Sequence, residues 1–309
     1  MIRTGLIGKF ETSAKYAGLI GQLEGCMAAG VWDSGKNGRS TPLNGNRNKV
    51  FYTPETLSNS ADAVIFTSRQ GQTFDMMRDI LKDGRHLLIC PDPDLSFKKL
   101  ELLLKIAEEA GVLLYMARHL YIAPLMEPLR EHGSNPQYIN IYKCENPGTS
   151  VKTNHINQTL YLEIISLLSI IHAPFRKCAF TSVPIHSPEP SLVNIRMEFS
   201  NGASASLTLN LFSRENYRTT EVCSSENMVK YDTRKNMTEV SGKHHYGLPG
   251  SPLKNEILED FNLNEDIARF LDLVRRKAYP ADHYISGIMT HKIAEEIILK
   301  LTPVNNSTG

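Results

Sequence analysis

The 309 residues carry 41% hydrophobic and 22% charged side chains, the balance of an ordinary folded chain with length for two domains. Lysine plus arginine number 34 against 33 acidic residues, so a net charge of +1 supplies no broad field to gather nucleic acid or an anionic membrane. Cys26, Cys90, Cys144, Cys178 and Cys223 are odd in number and include no C-x-x-C pair, which argues for reduced thiols and against a structural zinc site. No apolar run approaches membrane length, and the first residues lack a charged stretch followed by an apolar one; a cytoplasmic protein is expected.

The first part alternates strands and helices, the pattern of a parallel sheet covered on both faces. Ile2 to Gly8 (IRTGLIG) reads as an apolar strand ending in glycine. A helix is predicted from about Ser13 to Leu23, with Thr12 or Ser13 as its cap and Ala14, Leu19, Ile20 and Leu23 on its apolar face. Met27 to Asp33 closes a second strand at the distance expected of a dinucleotide-binding βαβ unit. Gly35 to Arg47, rich in Gly, Asn and Ser, reads as a surface loop. Ala61 to Thr67 is a buried strand, Thr73 to Lys82 a helix stopped by Gly84, and His86 to Cys90 the next strand. Phe97 to Ala110 is a helix stopped by Gly111, and Val112 to Met116 ends the series.

After residue 118 the pattern changes. Tyr138 to Cys144 reads as a strand and Thr159 to Ile171 as an apolar helix. Val193, Ile195, Met197 and Phe199 alternate with polar residues, Asn201-Gly202 turns the chain, and Ala203 through Leu211 repeats the alternation, which predicts a long hairpin with one buried face. Glu221 to Tyr231 adds two strands around Ser225-Glu226-Asn227. Asn264 to Lys277 and His283 to Leu301 read as closing helices.

The glycine fingerprint after the first strand is broken: Phe10 and Ser13 stand where G-x-G-x-x-G requires glycine, leaving only Gly8. Gly8 permits either close approach of a pyrophosphate to the next helix or tight internal packing. Thr12 and Ser13 offer hydroxyls in place of the lost contacts, while Phe10 adds bulk and Glu11 negative charge. Asp33 is placed either to accept from an adenine-ribose diol or to cap the loop that follows. Its carboxylate favours NAD over NADP, and Lys36 and Arg39 nearby pull the other way.

The order of segments resembles the glucose-fructose oxidoreductase, inositol dehydrogenase and MocA (Gfo/Idh/MocA) family over nearly the whole chain. The cues are Ala61-Asp62-Ala63-Val64 before Thr67, then Asp83-Gly84-Arg85-His86-Leu87-Leu88, Arg118 with Pro124, and Phe199-Ser200-Asn201-Gly202-Ala203. The resemblance implies a Rossmann-like cofactor domain over 1–118 and an α+β substrate and oligomerisation domain with an open, mostly antiparallel sheet over 119–309, its last helices packing back on the first domain. It further implies NAD or NADP as cofactor, held around Gly8, Thr12, Ser13, Asp33 and Thr67, a sugar, cyclitol or related polyol as substrate, and a homo-oligomer. Arg118, His119 and Glu163 are the substrate-binding candidates that follow from it; an interdomain hydrogen-bonding role remains open for the first two.

The family's signature residues are largely replaced. Its Glu-Lys-Pro element stands here as Cys90-Pro91-Asp92, its Thr-Pro-Asn-x-x-His as Thr67 to Gln72, and its Asp-x-Gly-x-His-x-x-Asp helix start as Ile156 to Glu163. Pro91 and Leu160 therefore occupy the positions of the proton-handling lysine and histidine, and only Glu163 keeps a carboxylate. Tyr161 and His155 are the remaining catalytic candidates, with packing the competing role for Tyr161 and capping or exposure for His155, which lies beside Asn154 just before the predicted helix. Cys90, the pair Asp92 and Asp94, and His244-His245 beside Lys243 read as packing, turn and loop residues, so no metal is expected. The competing function is a ligand-binding or regulatory protein on the same scaffold.

Overall fold

The computed structural model describes residues 1–34, 53–69, 71–117, 123–132, 135–146, 153–171, 173–184, 190–242, 245–248, 263–277 and 281–301. The chain divides into two compact units, one of residues 1–119 and 259–291, the other of residues 120–258 and 292–309.

In the first unit β1 (Ile2–Gly8), α1 (Phe10–Gln22), β2 (Cys26–Asp33), α2 (Pro54–Asn59), β3 (Ala63–Phe66), α3 (Phe74–Lys82), β4 (His86–Ile89), α4 (Phe97–Ala110) and β5 (Leu114–Met116) build a parallel sheet of order β2-β1-β3-β4-β5. The strands are buried on both faces, which is why they read as continuous apolar runs. Ile7, Val64, Phe66, Leu87 and Ile89 share one core with Met77 and Leu81 of α3 and Leu100, Leu103 and Ala107 of α4. Helix α4 follows its sequence closely: Ser96 accepts from Lys99 N–H at the start, and Gly111 ends it in the left-handed region at φ 65°.

Helix α1 departs from expectation. It starts at Phe10 with Lys9 as N-cap, so Thr12 and Ser13 lie inside its first turns and cap nothing. Local hydroxyl preference gave way to tertiary demand, because Ser13 is buried and hydrogen-bonds to Thr67 beyond β3.

The second unit holds α5 (Ala123–His132), β6 (Tyr138–Cys144), α6 (Thr153–Ile170), β7 (Phe175–Pro184), β8 (Pro190–Phe199), β9 (Ser204–Asn210), β10 (Tyr217–Cys223), β11 (Asn227–Asp232), β12 (Met237–Gly242) and β13 (His245–Leu248). Their sheet has the order β13-β12-β11-β10-β6-β9-β8-β7 and is antiparallel except between β6 and β9. The hairpin β8–β9 has the expected alternation, with Val193, Ile195, Met197, Ala205, Leu207 and Leu209 buried. Helix α6 packs on β6 and β9 and begins six residues before Thr159, so His155 stands inside the helix, not ahead of it. Leu125 of α5 packs with Val229 and Tyr231 of β11. Closing the chain are α7 (Asn264–Arg276), in the first unit, and α8 (Ala281–Leu301), which belongs to the first unit up to His291 and to the second from Lys292. Among the described residues no helix is long and apolar enough to cross a membrane.

Candidate functional site

The parallel sheet reverses its winding between β1 and β3, and ligands of such sheets bind beyond the strand C-termini at that switch point. Gly8 ends β1 there, Asp33 ends β2, and Thr67 follows β3. Thr67 N–H donates to Ile7 C=O at 2.8 Å, and its hydroxyl lies 2.9 Å from Ser13 Oγ. A Cβ on Gly8 would run into Thr67 Oγ1, so the missing side chain of Gly8 is used by Thr67. Ser13 and Thr67 are buried and serve each other, shaping the end of the sheet beneath any ligand. Asp33 is also buried, and Ser34 N–H donates to Gly8 C=O at 3.2 Å. Thr12 is half-buried in the first turn of α1.

Three buried polar atoms near this edge, Trp32 Nε1, Ser34 Oγ and Ser68 Oγ, have no hydrogen-bond partner. Buried donors left unpaired are costly, so these three atoms can accept a partner. Lys9 gives no side-chain hydrogen bond to the first turn of α1, whose N–H groups point out at the same strand end. Hydroxyls, an indole N–H and a helix N-terminus are the groups that ribose and phosphate oxygens satisfy, so the residues present fit a dinucleotide. Phe10 and Glu11 in that first turn replace the close backbone approach of a glycine loop.

At the end of β4, the Gln72 amide clamps Cys90: its Nε2 donates to Cys90 C=O at 2.9 Å and its Oε1 accepts from Cys90 N–H at 3.0 Å. The Cys90 thiol is fully buried, donates to Phe66 C=O, and is pushed up in pKa by that burial, so it is no nucleophile. Asp92 accepts from Asp94 N–H at 3.0 Å in a turn, and burial raises its carboxyl. No group of three metal-ligating side chains occurs among the described residues.

The second unit gathers a different set. On the sheet face covered by α6, the buried rows of β6 (Ile139, Ile141) and β10 (Val222, Thr220) end in Lys143 and Arg218, which are direct cross-strand partners. Like charges in that register repel. Glu163 of α6, 1% exposed, offsets the repulsion: Arg218 Nε donates to its Oε2 at 2.9 Å, and Lys143 Nζ lies 3.6 Å from its Oε1. Arg218 also donates to Thr220 Oγ1 at 2.6 Å. Lys143 Nζ reaches Glu145 Oε1 at 3.0 Å, and Glu145 Oε2 lies 2.8 Å from His155 Nε2 and accepts from Thr159 Oγ1 at 3.4 Å. His155, Thr159 and Glu163 sit four residues apart on one helix face.

The structure thus brings Gly8, Ser13 and Thr67 together, and links His155 to Glu163 through Glu145 and Lys143. Tyr161 is buried and, two residues from both Thr159 and Glu163, projects from another face of α6. Arg118, His119, Lys36, Arg39, Lys243, His244 and the segment from Gly35 to Arg47 lie outside the described residues. Lys143, Glu145 and Arg218 escaped the sequence reading, and the one available signal was the charge of Lys143 following Ile139 and Ile141 in alternation.

No protein-family model matches the chain, and no curated protein matches its sequence. Solved structures do. UDP-N-acetylglucosamine 3-dehydrogenase GnnA from Acidithiobacillus ferrooxidans superposes with TM-score 0.75 at 18% identity, over 96% of this chain and 97% of that one. A Gfo/Idh/MocA family oxidoreductase from Vibrio cholerae gives 0.70 at 14%, over 97% and 98%. GenD2 from gentamicin A biosynthesis, in complex with NAD, gives 0.68 at 13%, over 97% and 95%. A two-unit fold, with a parallel Rossmann-like sheet and an open, mostly antiparallel one, is common to all of them and to this chain.

Proposed function

We propose that this chain, which has the fold of the Gfo/Idh/MocA oxidoreductases, binds a nicotinamide dinucleotide on its first unit and oxidises or reduces a sugar, cyclitol or related polyol. The observation that carries the cofactor reading is the set of orphaned polar atoms past the ends of β2 and β3, Ser68 Oγ beside Gly8 and Ser34 Oγ and Trp32 Nε1 on side chains that lie against Gly71. Gly8, Thr12 and Asp33 are the contacts, and Ser13 with Thr67 holds their geometry. Asp33 favours NAD over NADP by repelling a 2′-phosphate. When bound, the nicotinamide supplies the hydride acceptor or donor. Fold alone does not fix chemistry, so the substrate class rests on analogy with neighbours such as the sugar-nucleotide dehydrogenase. His155 is the substrate-side group, with Arg118 and His119 as further candidates, whereas Glu163, buried between Arg218 and Lys143, does not meet a substrate; the open sheet suits a homodimer.

A second reading is a ligand-binding or regulatory protein that keeps the scaffold without hydride chemistry. Pro91 and the buried Leu160, at the family's lysine and histidine positions, favour it. Calorimetric titration of NADH into wild type and Asp33→Ala tests the cofactor site. Loss of charge-assisted hydrogen bonds to the ribose predicts at least about tenfold weaker binding. Equal affinity in the two proteins refutes the role of Asp33.

A further inference from the structure

A dinucleotide brings a doubly charged diphosphate to the edge of the parallel sheet, and the groups that ordinarily meet it are reduced in this chain. Only Gly8 is left of the glycine pattern, and Glu11 sets a negative charge in the first turn of α1, where an anion would gather. We infer that Lys9 and Arg69 replace the glycine loop, clamping the diphosphate between charged side chains with Ser68 as a hydroxyl donor, a role that rests on the dinucleotide reading.

Strand register brings the two cations to one edge. β1 and β3 are parallel neighbours with Ile7 opposite Phe66, and Thr67 N–H donates to Ile7 C=O at 2.8 Å, so the chain leaves both strands side by side. Neighbouring strands lie about 4.8 Å apart. Lys9 follows Gly8 on one, and Ser68 and Arg69 follow Thr67 on the other. Ser68 Oγ lies 3.3 Å from the position that a Cβ on Gly8 would take, which puts its hydroxyl between the two exits.

Neither cation is used by the fold. Among the described residues the side chains of Lys9 and Arg69 make no hydrogen bond and no ion pair, and Ser68 Oγ is buried without a partner. Lys9 is exposed, as is Glu11 near it. Arg69 is half-buried, a position in which a charge without a counter-ion is destabilised and an anion relieves it. Asp92 feels the field of Arg69, yet burial raises its carboxyl and no ion pair joins the two. The backbone of Arg69 is fixed on both sides. Thr67 is tied to Ile7 and Ser13, Gln72 N–H donates to Arg69 C=O at 3.0 Å, and the Gln72 amide clamps Cys90. A guanidinium on so short and anchored a turn offers its fork to phosphate oxygens with little left to order on binding. Lys9 adds a point charge.

Calorimetric titration tests the clamp. Arg69→Gln should weaken NADH and ADP-ribose alike, by about 10–100-fold, and Lys9→Gln by a smaller factor, about threefold. Arg69→Lys, which keeps the charge and loses the fork, should fall between wild type and Arg69→Gln. Wild-type affinity should decline as salt is added, and the double variant Lys9→Gln with Arg69→Gln should lose most of that decline. Since neither side chain is bonded in the folded chain, the urea midpoints should not move, so weaker binding at an unchanged midpoint reads the site and not the fold. Wild-type affinity for NADH in Arg69→Gln, or salt-independent binding by the wild type, overturns the inference while leaving the cofactor site standing. Absence of NADH binding refutes the dinucleotide reading. If inorganic pyrophosphate or UDP-N-acetylglucosamine then binds and is weakened in Arg69→Gln, the clamp stands for another diphosphate, and if neither binds, both readings fall.

Discussion

Replacing Arg218 by Met tests whether the buried charges of the second unit act as one network. The Arg218 side chain is 5% exposed, and besides Glu163 it serves Thr220 through its Nη1. Methionine fills much of the same volume but donates nothing. Glu163 then stays buried with Lys143 at 3.6 Å, too far for a hydrogen bond. Breaking a buried pair from one side costs about 3–5 kcal/mol, and the surviving attraction of Lys143 sets the lower end, about 3 kcal/mol. At a urea m-value of about 2 kcal/mol/M this lowers the transition midpoint by roughly 1.5 M. Circular dichroism during urea unfolding reads the shift. The double variant Glu163→Leu with Arg218→Met removes both charges and should be more stable than Arg218→Met alone, a non-additivity opposite to that of independent sites. A single-variant shift below about 0.3 M, or a double variant less stable than the single, refutes the network.

Gln72→Leu leaves the buried N–H and C=O of Cys90 without partners and should cost about 2–5 kcal/mol, read as a lower Tm of the first unit. Gly8→Ala should destabilise by about 1–3 kcal/mol by displacing the Thr67 side chain, and Thr67→Ala in the same chain should recover most of the loss in urea titrations. His291, buried in α8, has its pKa lowered to about 4 by desolvation. The unfolded chain binds this proton near pH 6.5, so the stability from neutral His291 is complete above about pH 6.5 and is lost as pH falls towards 4. The loss amounts to about 3 kcal/mol. His291→Phe should flatten that part of the stability–pH curve, and an unchanged slope counts against the assignment.

Elements governed by local rules were legible in the sequence. Helix α4 has its serine cap, its leucine spacing and its glycine stop in view, and β8–β9 has strict alternation around Asn201-Gly202. Elements governed by distant partners were not. The start of α1 at Phe10 follows from the demand of Thr67 on Ser13, 54 residues away in sequence. Strand β7 was missed because it is exposed along nearly all its length and has no buried alternation to detect. The candidate site divides the same way. Gly8, Asp33 and Thr67 stand at predictable strand ends, whereas Glu163 meets Arg218 across 55 residues and His155 meets Glu145 only because α6 begins earlier than its apolar run.

Trp32, the sole tryptophan, lies in β2 next to Asp33, and its indole nitrogen is one of the orphaned atoms at the switch point. Its emission during titration with NADH is the most direct test of the cofactor site. Saturable quenching, with energy transfer to the nicotinamide, is the predicted result, and Asp33→Ala should shift the titration to higher concentration. Unchanged emission up to millimolar NADH and NADPH, with no heat of binding in calorimetry, would contradict it.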